Sequence, residues 1–168
     1  MEQILTCCFT GHRPQKFSFG FNEHDDRCKN LKKILRERIE YLITQQNVTY
    51  FITGMALGVD LFAAEIVLQL KQNYPHIQLE CAIPCESQSK RWSKSLQNRY
   101  EMILSQCDTQ TVLQKYYTSN CMLKRNQYMV DHADIILAIW NGTPGGTEKT
   151  IQYAKQQNKR VWLTLFYD

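Results

Sequence analysis

The sequence predicts an α/β protein: a mostly parallel sheet with helices on both faces. Three observations predict it. Apolar runs of strand length alternate with longer amphipathic stretches along the whole chain. The run Ile135–Trp140, IILAIW, is apolar without a break, as a strand covered on both faces must be. Three strands end in turns that carry glycine, and two of those turns open directly into a helical pattern.

Ile4–Phe9 reads as the first strand, and Thr10-Gly11-His12-Arg13-Pro14 as the turn after it. Pro14 keeps Arg13 out of the helical region. Phe17–Phe21 is an aromatic loop. A helix is expected over 25–46, with Leu31, Leu35, Ile39 and Leu42 at helical spacing and Lys32, Lys33, Arg36 and Glu40 on the solvated side. Tyr50–Thr53 is a second strand, followed by Gly54-Met55-Ala56-Leu57-Gly58-Val59-Asp60 and a helix over 61–73. Gln78–Ile83 is the third strand, ended by Pro84. Ser87 or Ser89 is expected to start a helix that runs to Cys107 and carries Lys90-Arg91-Trp92-Ser93-Lys94. Thr109–Leu113 is the fourth strand, and Ser119 or Asn120 caps a helix over 121–132. After Ile135–Trp140 comes the turn Asn141–Gly146, with Thr147 as the expected N-cap of a helix over 149–157. Glu148 suits the positive end of that helix dipole. Val161–Leu165 is the last strand.

A length of 168 residues makes one domain, 1–168, the expectation. With 43% hydrophobic and 21% charged residues the chain can build a core. No run approaches the ~20 apolar residues of a membrane span. The first residues lack the basic start of a signal peptide, so a cytoplasmic protein is expected. A net charge of +4 tolerates a phosphorylated ligand without demanding nucleic acid, which is expected to bind weakly or not at all. The seven cysteines are odd in number, and Cys7, Cys8 and Cys81 fall in apolar runs, where they read as small buried hydrophobes. No C-x-x-C occurs, and neither a metal nor a cofactor is expected. Association with a second copy of the chain is compatible with the sequence.

In a parallel sheet ligands bind beyond the carboxyl ends of the strands, where the strand order reverses. The turns Gly11–Arg13, Gly54–Asp60 and Asn141–Glu148 all belong at that edge. Backbone N–H groups at such turns approach anions closely, and a helix N-terminus adds partial positive charge. The glycines also have a purely geometric use in ordinary strand-to-helix turns. Neither G-x-G-x-x-G nor G-x-x-x-x-G-K-[ST] is present.

CCFTGHRP, TGMALGVD, the KRN of Lys124–Asn126 and WNGTPGGTEKT together resemble the YpsA family of the SLOG superfamily, which also holds DprA and the Lonely Guy enzymes. The resemblance covers nearly the whole chain. It implies a Rossmann-like fold with a pocket for a nucleotide or a nucleotide-derived ligand. TGMALGVD is also similar to the S-G-x-A-x-G-[IV]-D segment of DprA. GGTEKT departs from the Lonely Guy pattern P-G-G-x-G-T-x-x-E: one glycine is missing and Glu148 follows Thr147 directly. That departure counts against N-glycosidic cleavage.

Arg13 is a phosphate ligand or a surface cation. His12 stacks on a base, donates to phosphate, or is satisfied by local backbone. Asp60 binds ribose hydroxyls or complements a helix dipole. Arg125 and Asn126 reach the cleft or lie on a helix surface. Gly54, Met55, Gly58, Asn141, Gly145, Gly146 and Thr147 complete the expected ligand-binding set. Glu148 is the one candidate general acid or base in the turns. The expected function is binding of a nucleotide-type molecule, ADP-ribose-like or cyclic, as a sensor or a sequestering protein. The rivals are a nucleotide or N-glycosidic hydrolase using Glu148, and a DprA-like single-strand binder using the segment around Trp92.

Overall fold

A computed structural model describes residues 3–168. The sheet has six strands: β1 (Leu5–Gly11), β2 (Val48–Thr53), β3 (Gln78–Ile83), β4 (Thr109–Val112), β5 (Ile135–Trp140) and β6 (Arg160–Leu165). All neighbours are parallel, in the order β4-β3-β2-β1-β5-β6. The chain builds outward from β1 to β4, then crosses back to lay β5 on the other side of β1. The order therefore reverses between β1 and β5. This is the crevice that a doubly wound sheet offers to ligands.

The helices are α1 (Asp26–Gln45), α2 (Val59–Lys71), α3 (Lys94–Gln106), α4 (Cys121–Asp131) and α5 (Gly146–Gln156). Strand alternation sorts the core into two layers. Cys7 and Phe9 of β1, Phe51 of β2 and Ile135, Leu137 and Ile139 of β5 pack with α1, α2 and α3. Cys8, Ile52, Ala82 and Ile136 turn the other way, onto Met129, Val130 and Ala154 of α4 and α5. α1 contributes Leu31, Leu35, Ile39 and Leu42, all fully buried on one stripe. Each such side chain is worth about 1.5–3 kcal/mol of burial. Asp25 caps α1 by accepting from the amide of Arg27 at 2.8 Å. The expected burial of Cys7, Cys8 and Cys81 is found.

Three helix starts differ from expectation. α2 begins at Val59, with Gly58 as N-cap, two residues before the expected start. α3 begins at Lys94, capped by Ser93, whose hydroxyl accepts from Leu96 N at 3.3 Å. Residues 87–92 form successive tight turns instead, Lys90 N to Ser87 O and Trp92 N to Ser89 O at 3.0 Å each. Trp92 and Arg91 thus stand in a loop, not on a helix face. α5 begins at Gly146 with Gly145 as N-cap, so Thr147 lies inside the first turn and caps nothing.

Candidate functional site

β1 runs through Thr10 and Gly11, which were expected in the turn, and its end and the turn after it are locked to the start of α2. A Cβ on Gly11 would sit 2.5 Å from Val59 Cβ, so only glycine lets the helix come this close. Gly58 has φ +90°, and a Cβ there would meet His12 O at 2.4 Å. The amide of Val59 donates to His12 O at 3.3 Å. These glycines serve packing between elements.

The turn after β2 is held by side chains. Thr53 Oγ1 donates to Asp60 O at 2.9 Å, and Ala56 N donates to Asp60 Oδ2 at 3.4 Å. Met55, fully buried, adopts φ +58°. Gln88 Nε2 donates to Gly54 O at 3.3 Å and Met55 O at 3.2 Å, and its Oε1 accepts from Arg125 Nη1 at 3.1 Å. Arg125 Nη1 also donates to Gly54 O, and Arg125 Nε donates to Asn126 Oδ1 at 2.9 Å. Gly54 leaves the space that Asp60 and the guanidinium fill; a Cβ would stand 2.8 Å from each. Arg125 is 2% exposed, so it is no surface cation. Burial pushes the Asp60 carboxyl above its ordinary value, and the charge of Arg125 opposes that shift.

The turn after β5 closes the third side. Asn141 Oδ1 accepts from Thr143 N at 3.1 Å and Thr143 Oγ1 at 2.5 Å, which fixes the turn. Its own amide donates to His12 Nε2 at 3.1 Å. His12 is 4% exposed and meets Phe17 edge-on at 6.0 Å. Burial lowers its pKa.

These turns surround a cavity of about 560 Å³. Gly11, His12, Arg13, Asp60, Arg125, Asn126, Gly146 and Thr147 line it. Gly54, Met55, Gly58, Asn141, Gly145 and Glu148 do not line it; they shape or flank the turns. Glu148 Oε1 accepts from Gln152 along α5. Lys16 and Lys149 also line the cavity, and the sequence reading did not single them out. Lys149 stands in the GGTEKT segment. Lys16 had no such signal: a short 3₁₀ turn, Pro14–Lys16, swings it back so that Nζ donates to Pro144 O at 3.1 Å. The first amides of α5 have no intrahelical acceptor. A Cβ on Gly146 would meet nothing within 4 Å, so this helix end is open.

A parallel doubly wound sheet with a polar, cation-rich cleft at its switch point defines the class: Rossmann-like, as the sequence predicted. The YpsA model, described as the YspA SLOG family, matches residues 7–168, and the chain belongs to this family. It is 38% identical over 138 residues to the uncharacterized SPbeta prophage-derived protein YoqJ of Bacillus subtilis, covering 75% of this chain and 81% of that protein. It is 30% identical over 155 residues to the UPF0398 protein BH1768 of Halalkalibacterium halodurans, covering 90% and 80%. Its fold is similar to that of DNA processing protein A from Helicobacter pylori, described by its single-stranded DNA binding mode, with TM-score 0.63 and 17% identity. DprA from Streptococcus pneumoniae matches with TM-score 0.63 and 13% identity. Both matches cover 95% of this chain, which spans 64% and 50% of those two structures. Among the described residues no helix is long and apolar enough to cross a membrane.

Proposed function

We propose that this protein binds a nucleotide-type small molecule at the carboxyl edge of its sheet and acts as a sensor or sequestering protein. One observation carries the reading. Arg13, Lys149 and the open N-terminus of α5 converge on a single cavity whose wall also holds the buried Asp60 carboxylate. Cations and free amides suit a phosphate. A carboxylate in the same cavity suits sugar hydroxyls. Gly146 leaves room for an anion to reach the backbone. A hydrolytic role for Glu148 gains no support from a side chain directed along α5.

A second reading is single-strand binding. The DNA-processing neighbours share the fold at low identity, and the expectation of weak nucleic-acid binding sits uneasily beside them. The observation in its favour is local: Arg91 and Trp92 line a cavity beside the glycine turns.

The test is a thermal-shift and calorimetric panel of AMP, ADP, cyclic AMP and ADP-ribose. At ligand ~100 times its Kd, binding adds about 2.7 kcal/mol of stability. A panel in which nothing binds removes the reading.

A further inference from the structure

The cleft continues beyond the glycine turns. A second cavity, of about 710 Å³, adjoins the first, and Arg13, Gln15, Ala56 and Met122 line both. One drug-sized ligand fills ~300–1,000 Å³, so the first cavity alone suffices for one nucleotide. The second differs in chemistry. Trp92, Arg91 and Phe21 line it. Trp92 packs edge-to-face on buried Tyr100, centroids 5.3 Å apart at 85°, so one side of its indole is backed by the core. Phe21 is 56% exposed although its loop neighbours Phe17 and Phe19 are buried.

The charges there are unequal. Glu23 is occupied by Lys32 at 2.5 Å and by Arg99 Nη2 at 2.9 Å. Arg99 is occupied by Glu23 and Glu65. Arg91 and Arg13 make no side-chain hydrogen bond or ion pair among the described residues. Arg13 stands on the wall common to both chambers. The arrangement is an anion site, a free guanidinium at the joint, and a braced aromatic surface beyond it. Bases stack on such surfaces without regard to sequence.

We propose that the two chambers together take one ligand made of two nucleosides joined through phosphate. One nucleotide lies in the glycine chamber, the bridge lies against Arg13, and the second base lies against Trp92. This rests on the nucleotide reading of the first chamber.

The test titrates AMP, diadenosine diphosphate, and oligodeoxyadenylates of two and twenty nucleotides at fixed salt. Diadenosine diphosphate is expected to bind about tenfold or more tighter than AMP. Trp92→Ala should erase that advantage and leave AMP affinity unchanged. Trp92→Leu, which keeps apolar packing on Tyr100 but removes the flat ring, should do the same if the alanine variant proves unstable. Equal affinity for the two adenine ligands overturns the two-chamber proposal and leaves the nucleotide reading standing. An advantage that survives both Trp92 variants overturns it as well. Binding of neither ligand removes both. Affinity that climbs from two to twenty nucleotides by more than the roughly 19-fold set by the number of dinucleotide registers on the longer strand also overturns the proposal, since the ligand then extends past the two chambers.

Discussion

The backbone amide of Asn141 donates to Nε2 of His12 at 3.1 Å, tying the turn after β5 to the turn after β1. The bond needs a neutral imidazole with its proton on Nδ1. Burial holds the His12 pKa below its ordinary 6.5. The unfolded chain therefore takes up this proton at higher pH than the native one, and stability falls as pH drops below about 6.5. The slope from one such group is at most about 1.4 kcal/mol per pH unit. Urea midpoints between pH 7.5 and 5.5 should decline more steeply in wild type than in His12→Gln. Equal slopes would show that this bond carries no titration.

Gly146 and Gly58 should separate binding from folding. Gly146→Val should keep its melting temperature within a few degrees and lose phosphate-dependent ligand affinity, because the new side chain enters open space at the helix end. Gly58→Val should destabilise by about 2 kcal/mol or more, since φ +90° and a Cβ at 2.4 Å from His12 O both oppose it. Retained affinity in a folded Gly146→Val would make the α5 turn purely structural.

Arg125→Leu should cost about 3 kcal/mol. It removes the donors to Gly54 O and Gln88 Oε1 and leaves Asp60 buried without its neighbouring cation. Asp60→Asn in the Arg125→Leu background should recover part of the loss, as a double-mutant cycle would record. Simple additivity would deny the coupling.

Much of this was legible in the sequence, and the reasons are specific. IILAIW has to be a doubly covered strand, and Leu31 to Leu42 has to be one helix stripe. The turns at Gly11, Gly54 and Gly145 mark the carboxyl edge because each follows a strand. What escaped were contacts set by the three-dimensional path. Gly11 read as a ligand-edge glycine and Gly58 as a glycine against a ligand or a neighbouring element; Gly11 does line the cavity, and Val59 and His12 O take the space a Cβ would need at the two positions. Arg125 read as a cleft or surface cation; it lines the cleft, and what the pattern did not announce is that its guanidinium is buried as the link between Gly54 and Gln88. The segment at Trp92 carries helix-like periodicity, but Ser93 is the better cap and turns the preceding residues into a loop wall. Lys16 reaches the cleft through a 3₁₀ turn that pattern alone does not announce.

Glu148→Gln separates a binder from a hydrolase. With its carboxylate directed along α5, the change should alter affinity only modestly, and the ligand should be recovered intact from both proteins. Slow conversion by wild type that drops on the order of a hundredfold in Glu148→Gln would establish general-base chemistry instead.

The most direct test is a pair of calorimetric titrations, wild type against Arg13→Ala, with AMP and with adenosine. Arg13 is exposed and free of side-chain partners among the described residues, so its loss should leave the melting temperature unchanged. Charge-assisted hydrogen bonds to phosphate are worth roughly 1.5–3 kcal/mol, so AMP should weaken about ten- to a hundredfold. Adenosine, lacking phosphate, should bind both proteins alike. An AMP affinity indifferent to Arg13→Ala would contradict a phosphate site at the carboxyl edge of this sheet.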